Sequence, residues 1–209
     1  MRELLLARDF DGIVEWIRQD RHALRSISAS LFDSDRLVCW RAIEALGKVA
    51  PLVADRDIEK VRVLVRRLLW QMNDESGNVG WYSAEAVGEI AANVPQVIPE
   101  YANILISFLV EEPFERGAAW AIWRMAGVSP WVYRTSIDGI AKHITDADPF
   151  IRAHLYKALM LIDREAAQQH TSVLASDATA FTYYDLSSGD FVETTVAEAA
   201  LETEGATTD

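Results

Sequence analysis

The residues that most often carry metal or nucleophilic chemistry are few in this chain and lie far apart. They are His22, His143, His154, His170 and Cys39. No two histidines are four residues apart, the spacing that would place two metal ligands on one face of a helix. The cysteine has no histidine near it in the sequence, and such a thiol is normally a protonated packing residue. We therefore predict no catalytic, cofactor or metal site, and expect surface histidines and a buried thiol.

Aromatic and charged residues, by contrast, recur at matched positions in three segments. With a spacing of four, which keeps side chains on one helix face, the runs are Trp40, Glu44 and Lys48; Trp81, Glu85 and Glu89; and Arg116, Trp120 and Arg124. Trp and Arg dominate binding hot spots because each buries a large area and keeps a polar group. The predicted partner-binding stripe is Trp40, Glu44, Trp81, Glu85, Glu89, Arg116, Trp120 and Arg124. The alternative is that the tryptophans pack between helices and the charges face solvent.

A degenerate repeat supplies the helices that would carry this stripe. The tripeptide Ala45-Leu46-Gly47 recurs as Ala86-Val87-Gly88, Ala121-Ile122-Trp123 and Ala158-Leu159-Met160, at intervals of 41, 35 and 37 residues. Seven residues before each alanine stands an apolar residue: Val38, Val79, Phe114 and Ile151. A period in this range is typical of stacked helical repeats, and the small residues allow a neighbouring helix to approach closely.

The segments between these repeats predict the first helix of each pair. Apolar positions mark one face of a helix that starts near Asp57, and two more are expected over residues 95–110 and 129–144. Ser129-Pro130 is a helix-start signal, since proline is tolerated in the first turn. At the amino terminus, residues 11–18 and 22–32 form one more pair or an irregular cap, and residues 4–10 fold back on it.

The pattern apolar-x-x-x-Ala-x-x-Ala-Leu-Gly in the second helix of each pair resembles HEAT repeats, most closely the phycobilisome-lyase HEAT-like proteins. The matching residues are 38–50, 79–91, 114–126 and 151–162. The arginine that usually follows the apolar residue is present only as Arg152. The resemblance implies an all-α fold, a right-handed α-solenoid of HEAT-like hairpins, with the stripe on its concave side.

Composition and charge are those of one soluble domain with a long core. The chain has 209 residues, is 50% hydrophobic and has a net charge of −12. Nine of the acidic residues and no lysine or arginine lie from Glu165 onward, so the body is nearly neutral. With one cysteine, no signal-like segment and no long apolar run, the expected location is the cytoplasm.

The helical period stops near Asp177. Residues 179–184 and 191–194 favour two strands around a turn at 185–190, and Thr195 is placed to cap a short helix. The predicted organisation is a helical repeat domain over 1–176, a β-hairpin and short helix or irregular extension over 177–201, and a disordered acidic tail over 202–209. The extension would cap the last repeat or dock a partner.

These features favour a non-enzymatic scaffold that binds a partner protein or peptide on its Trp-lined concave face. The alternatives come from other proteins with similar repeats: DNA binding or a DNA alkylation-glycosylase-like activity, or a bilin-lyase-like helper. A glycosylase would use an aromatic residue to stack a base and a basic face to meet phosphate, which Glu44, Glu85 and Glu89 oppose. Arg62, Arg66 and Arg67 form a small basic patch on a first helix, which we interpret as a solvated outer face.

Overall fold

The protein is described by a computed structural model that covers residues 1–20, 22–73 and 80–205, the last four for their backbone alone. This part of the chain is mostly helical and ends in a short antiparallel sheet. The helices are α1 (Arg2–Leu6), α2 (Phe10–Gln19), α3 (Ala23–Ala29), α4 (Arg36–Arg56), α5 (Ile58–Met72), α6 (Ser83–Asn93), α7 (Ile98–Ser107), α8 (Glu115–Ala126), α9 (Ile137–Ala141), α10 (Pro149–Ile162), α11 (Arg164–Leu174) and α12 (Val196–Gly205). Short 3₁₀ turns span Ser30–Phe32, Pro95–Val97, Phe108–Val110 and Pro130–Tyr133, and the strands are β1 (Ala180–Asp185) and β2 (Asp190–Thr195).

Polar N-caps start several of these helices, and the cap at Asp57 lies where the sequence predicts a helix start. The Asp57 side chain accepts a hydrogen bond from the backbone N–H of Glu59 at 3.0 Å, and α5 begins at the next residue. Asp148 does the same for Phe150 at 2.8 Å, with Pro149 at the first helical position of α10. Each cap satisfies a backbone donor that has no partner inside its helix.

The four repeat segments pack side by side in chain order. Helix α4 packs against α6, α6 against α8, and α8 against α10. The repeated alanines Ala45, Ala86, Ala121 and Ala158 are all fully buried. At Gly88 the approach of α8 is so close that an added Cβ would lie 2.4 Å from the Ala121 Cα. Among the described residues, a helix is therefore present at each of the four predicted segments, although Val79 lies outside the described residues.

The prediction of one continuous helix over 129–144 is wrong. The structure has a 3₁₀ turn at Pro130–Tyr133 and only a five-residue helix, α9, at Ile137–Ala141. Residues 134–136 separate the two. Thr135 and Ser136 have side chains of a kind that competes with the helix for backbone hydrogen bonds. Gly139 further weakens the helix in its middle. The amino-terminal pair is present as α2 and α3, and α1 packs back against α4.

The carboxy-terminal hairpin and helix form where the sequence predicts them. Strands β1 and β2 pair so that Tyr184 lies opposite Phe191. The Glu198 N–H donates to the Thr195 hydroxyl at 3.2 Å, while the Thr195 N–H donates to the Glu198 carboxylate at 2.9 Å, so Thr195 does cap α12. Helix α12 continues to Gly205, four residues beyond the predicted end, and residues 206–209 lie outside the described part of the chain. Both β1 and α12 pack against α10.

Candidate functional site

The predicted stripe lies on α4, α6 and α8, with Trp81 just before α6, but most of it is not exposed. Five members are buried, and the expectation that they face solvent is wrong for them: Trp40, Glu44, Glu85, Glu89 and Trp120. Trp81 is 61% exposed, the Arg116 side chain is 47% exposed, and the Arg124 side chain is 26% exposed. Two of the three tryptophans of the predicted site are therefore inside the protein.

The carboxy-terminal hairpin covers the part of this stripe that lies on α4. From β1 the Tyr184 ring stacks on the Trp40 indole, with the ring centroids 5.4 Å apart and the planes 17° from parallel. The Tyr184 hydroxyl donates a hydrogen bond of 2.7 Å to the Glu44 carboxylate. Burial and this carboxylate raise the pKa of Tyr184, so the phenol stays protonated. The hairpin thus supplies both the ring and the donor that a bound peptide would otherwise supply.

Two arginines join the hairpin turn to α4 and to the segment after α1 by hydrogen bonds. Arg8 donates to the Glu44 carboxylate at 2.6 Å and to the Leu186 carbonyl at 2.8 Å. Arg41 donates to the Gly189 carbonyl at 3.1 Å and also to the carbonyl of Leu6. Gly189 has φ +72°, and an added Cβ there would lie 2.3 Å from the Arg8 side chain. The segment that follows α1 and the turn of the hairpin are therefore in contact beside α4.

An aromatic cluster continues beneath the hairpin toward α10. The Trp40 and Trp120 rings meet edge to face with centroids 4.8 Å apart. The His154 ring stacks on Phe150 at 3.9 Å and contacts Phe181 of β1 at 6.1 Å. Burial lowers the pKa of His154 to about 3, so its ring is neutral. The prediction of a surface histidine is wrong here, because the hairpin covers this position.

Two further members of the stripe bind each other. Arg124 of α8 donates to the Glu89 carboxylate of α6 at 2.6 and 3.2 Å. The Asn93 amide donates to the same carboxylate at 3.1 Å. With its charge compensated in this way, Glu89 is stabilised in the interior and joins two neighbouring helices.

Glu85 differs from the other acids of the stripe because its charge is poorly compensated. It is 6% exposed, and its Oε2 atom has no hydrogen-bond partner among the described residues. The carboxylate lies against Gly117 of α8, where an added Cβ would be 2.5 Å from Oε2. Burial raises the pKa of Glu85 to about 7, against the opposing effect of Arg116 and Arg36. This acid is therefore substantially protonated near neutral pH.

The predicted buried thiol is confirmed. Cys39 is fully buried, and its Sγ donates to the Asp33 carbonyl at 3.2 Å. Burial, with Asp33 nearby, raises the pKa of the thiol to about 11. Such a thiol is protonated at neutral pH and is not a nucleophile.

An open concavity lies elsewhere, between α3 and α5, and we call it the α3–α5 groove. Both helices pack against α4, and the groove between them has a volume of about 760 Å³. It is lined by His22, Leu24, Arg25, Ser28, Ala29, Phe32, Lys60, Val63, Leu64, Arg67, Leu68 and Gln71. Within this lining Phe32 is 42% exposed and Val63 is 38% exposed.

The stripe-based prediction missed this groove, although one signal in the sequence points to it. The core face of α5 carries Val61, Val65 and Leu68. Val63 and Trp70 stand on a different face, and Trp70 is 65% exposed. An exposed apolar residue is informative where it joins other apolar residues in one surface, as Val63 does in the groove, whereas Trp70 lies outside the lining.

Comparisons with known proteins add little about chemistry. No family model matches the chain. A protein of Archaeoglobus fulgidus, described as an uncharacterized protein, is 26% identical over 117 residues, which is 56% of this chain and 61% of the relative. The chain thus spans about three fifths of the length of that relative. Within the described residues, the helices are all too short or too polar to cross a bilayer.

Proposed function

We propose that the protein is a HEAT-like helical repeat module, a right-handed α-solenoid, with a non-enzymatic role in binding a partner protein. The ordered packing of α4, α6, α8 and α10 through a buried column of alanines supports the repeat assignment. The state of the reactive groups supports a non-enzymatic role. The Cys39 thiol is protonated, His154 is buried and neutral, and Glu89 is bound to Arg124.

The α3–α5 groove is the surface that supports partner binding best. The main observation in favour of the groove is that it is open and has an apolar floor. The stripe, by contrast, is already in contact with the hairpin, through Tyr184 and Glu44. A contiguous apolar surface bordered by polar residues marks a site of contact with another protein or a ligand. The stripe contributes only Trp81 and Arg116 as exposed side chains at its edge.

The nucleic-acid and lyase-like alternatives gain no support from this geometry. Of the two rings that could stack a flipped base, Trp120 is fully buried and Trp81 is exposed. Arg116, which would have to meet phosphate, lies 3.5 Å from the carboxylate of Asp148. A site that uses Trp120 would first require the Trp40 and Trp123 rings packed against it to move.

Site-specific photo-crosslinking in cells of the native host tests the proposal. A photoreactive residue replaces Val63 in the groove, Trp81 at the edge of the stripe, or Val173 on α11. Position 173 is the matched control, because Val173 is also an exposed valine, with 63% of its surface accessible. We expect a discrete protein adduct from position 63 and none from position 173. A discrete adduct from position 81 alone would overturn the groove assignment, and equal adducts from all three would overturn specific binding.

A further inference from the structure

We propose that the α3–α5 groove binds an acidic amphipathic helix of its partner, with the apolar side of that helix on the groove floor and its acidic residues against a basic rim. This inference rests on the proposed function, since it names the chemistry of the partner that the groove receives. Its two parts, the apolar floor and the basic rim, come from different residues of α3, the adjoining Ser30–Phe32 turn and α5.

The floor of the groove fits an apolar helical stripe. Phe32 and Val63 are partly exposed, and Leu24, Leu64 and Leu68 extend the apolar surface beneath them. Burying this surface under another apolar face is favourable because it removes it from water. A helix lying in a groove is a common mode of recognition, in which apolar side chains at every third or fourth position supply the anchors.

The rim of the groove is basic, and its cations have no acidic partner within the described part of the chain. Arg25 lies on α3, while Lys60 and Arg67 lie on α5. None of the three forms an ion pair with a described residue. Arg62, on the same helix but turned away from the groove, binds both Glu59 and Glu100. The described lining contains no aspartate or glutamate. The unpaired positive charge is therefore concentrated where a partner would sit.

The spacing of the rim sets what the partner must present. Lys60 and Arg67 are seven residues apart, which is two helical turns or roughly 10 Å along α5. Two acidic residues seven apart on a partner helix would face both cations at once. The long Lys and Arg side chains can also lie along the flanks of the partner and cover its apolar face.

A nucleic acid would meet the same three cations but fits the floor poorly. A phosphate backbone would leave Phe32 and Val63 against a hydrated polyanion, with no apolar partner. A helix with one apolar and one acidic side satisfies both parts of the groove. We therefore choose the acidic helix and make nucleic-acid binding an outcome of the test.

A fluorescence-polarisation titration of the full chain tests this inference with defined probes. The main probe is a labelled helical peptide with leucines at every third or fourth position and glutamates seven apart on its flank. Three comparison probes are a scrambled peptide of the same composition, the same helix with lysines in place of the glutamates, and a single-stranded oligonucleotide. We expect the acidic helix to bind at least about tenfold more tightly than each of the others, with affinity falling as salt rises.

Charge-reversal variants locate the binding. The double variant Lys60→Glu and Arg67→Glu should weaken the acidic helix by about tenfold or more. The control double variant Arg134→Glu and Lys142→Glu, which makes the same charge change at other exposed positions, should bind as the wild type does. The groove double variant should gain affinity for the lysine-bearing helix, a reversal that only direct pairing with the rim explains. Val63→Gln should weaken the acidic helix, and Val173→Gln should not.

The outcomes separate this inference from the proposed function. Equal binding of the scrambled or lysine-bearing peptide, or unchanged binding by the groove double variant, would overturn the acidic-helix inference. Oligonucleotide binding that depends on Lys60 and Arg67 would also overturn it, in favour of nucleic acid. If the acidic helix fails to bind while crosslinks from position 63 persist, the groove remains a protein-binding site with a different partner chemistry.

Discussion

The stripe and the α3–α5 groove both combine charged side chains with aromatic or apolar ones, but their charges and apolar surfaces are partnered to different degrees. On the stripe, the charges of Glu44 and Glu89 are bound to arginines and the Trp40 ring is stacked against Tyr184. In the groove, Lys60 and Arg67 lack acidic partners among the described residues, and the apolar floor is partly open. The difference shows that the aromatic and charged side chains of a surface can find their partners within the same chain. The surface whose side chains still lack such partners is the better candidate for binding another protein.

The largest expected effect tests whether the hairpin is a structural part of the stripe. Tyr184→Ala removes a fully buried ring together with the donor to Glu44. We expect the free energy of unfolding to fall by about 3–5 kcal/mol. Tyr184→Phe, which keeps the ring, should lose only about 1.5–3 kcal/mol. Urea denaturation measures both, and a loss under about 1 kcal/mol for Tyr184→Ala would mean that the hairpin does not hold the stripe.

Two tryptophans at equivalent positions of the repeat sharpen the comparison. Trp40 is 2% exposed and Trp81 is 61% exposed. Trp40→Ala should destabilise the protein by about 3–5 kcal/mol, whereas Trp81→Ala should cost less than about 1 kcal/mol. Thermal melts of the two variants, compared at the wild-type melting temperature, give the difference. Similar losses for both would show that Trp81 also packs in the folded protein.

The buried acid Glu85 predicts a pH dependence. Its folded pKa of about 7 lies above its ordinary value of 4.5, so the folded state holds the proton more tightly than the unfolded state. Its contribution to stability is therefore fully present below pH 4.5 and is lost as pH rises to about 7, by on the order of 3 kcal/mol. Glu85→Gln should remove this slope and be the more stable protein at pH 8.

The control for this experiment is the wild-type curve over the same pH range, since His154 titrates in the opposite sense. Burial lowers the pKa of His154 to about 3, so its contribution is lost as pH falls below its ordinary value of 6.5. The difference between the wild type and Glu85→Gln removes this common effect. A difference that stays constant from pH 4.5 to pH 8 would contradict the raised pKa.

The smallest expected effect belongs to the groove. Lys60→Glu and Val63→Gln change exposed side chains, and we expect each to alter the free energy of unfolding by no more than about 0.5 kcal/mol. Chemical denaturation of each variant beside the wild type checks this. A loss above about 2 kcal/mol for either change would mean that the groove is part of the folded core and not an open surface.

Local structure could be predicted from the sequence because its signals are local. The alanine repeats, the cap at Asp57 and the cap at Thr195 each depend on residues within one or two turns, and all three are present. The prediction of one continuous helix over 129–144 was wrong, because it relied on the helix-start signal and gave too little weight to the polar residues and Gly139 within the segment.

The covering of the stripe could not be predicted, because it depends on contacts between distant residues. Tyr184 and Glu44 are 140 residues apart in the sequence, and Arg8 joins them from the amino terminus. Helical spacing places residues on a face but does not say what covers that face. Val63, which is apolar, exposed and off the core face of α5, was the sequence signal for the α3–α5 groove.

Hydrogen exchange of the full chain, with and without the acidic amphipathic peptide, tests the central claim most directly. The claim is that partner binding uses the α3–α5 groove while the hairpin stays on the stripe. We predict slower exchange on peptide binding in α3 and α5, and unchanged exchange in β1, β2 and α8. Slower exchange in α8, or faster exchange in the two strands, with α3 and α5 unchanged, would contradict the claim and return the binding site to the stripe.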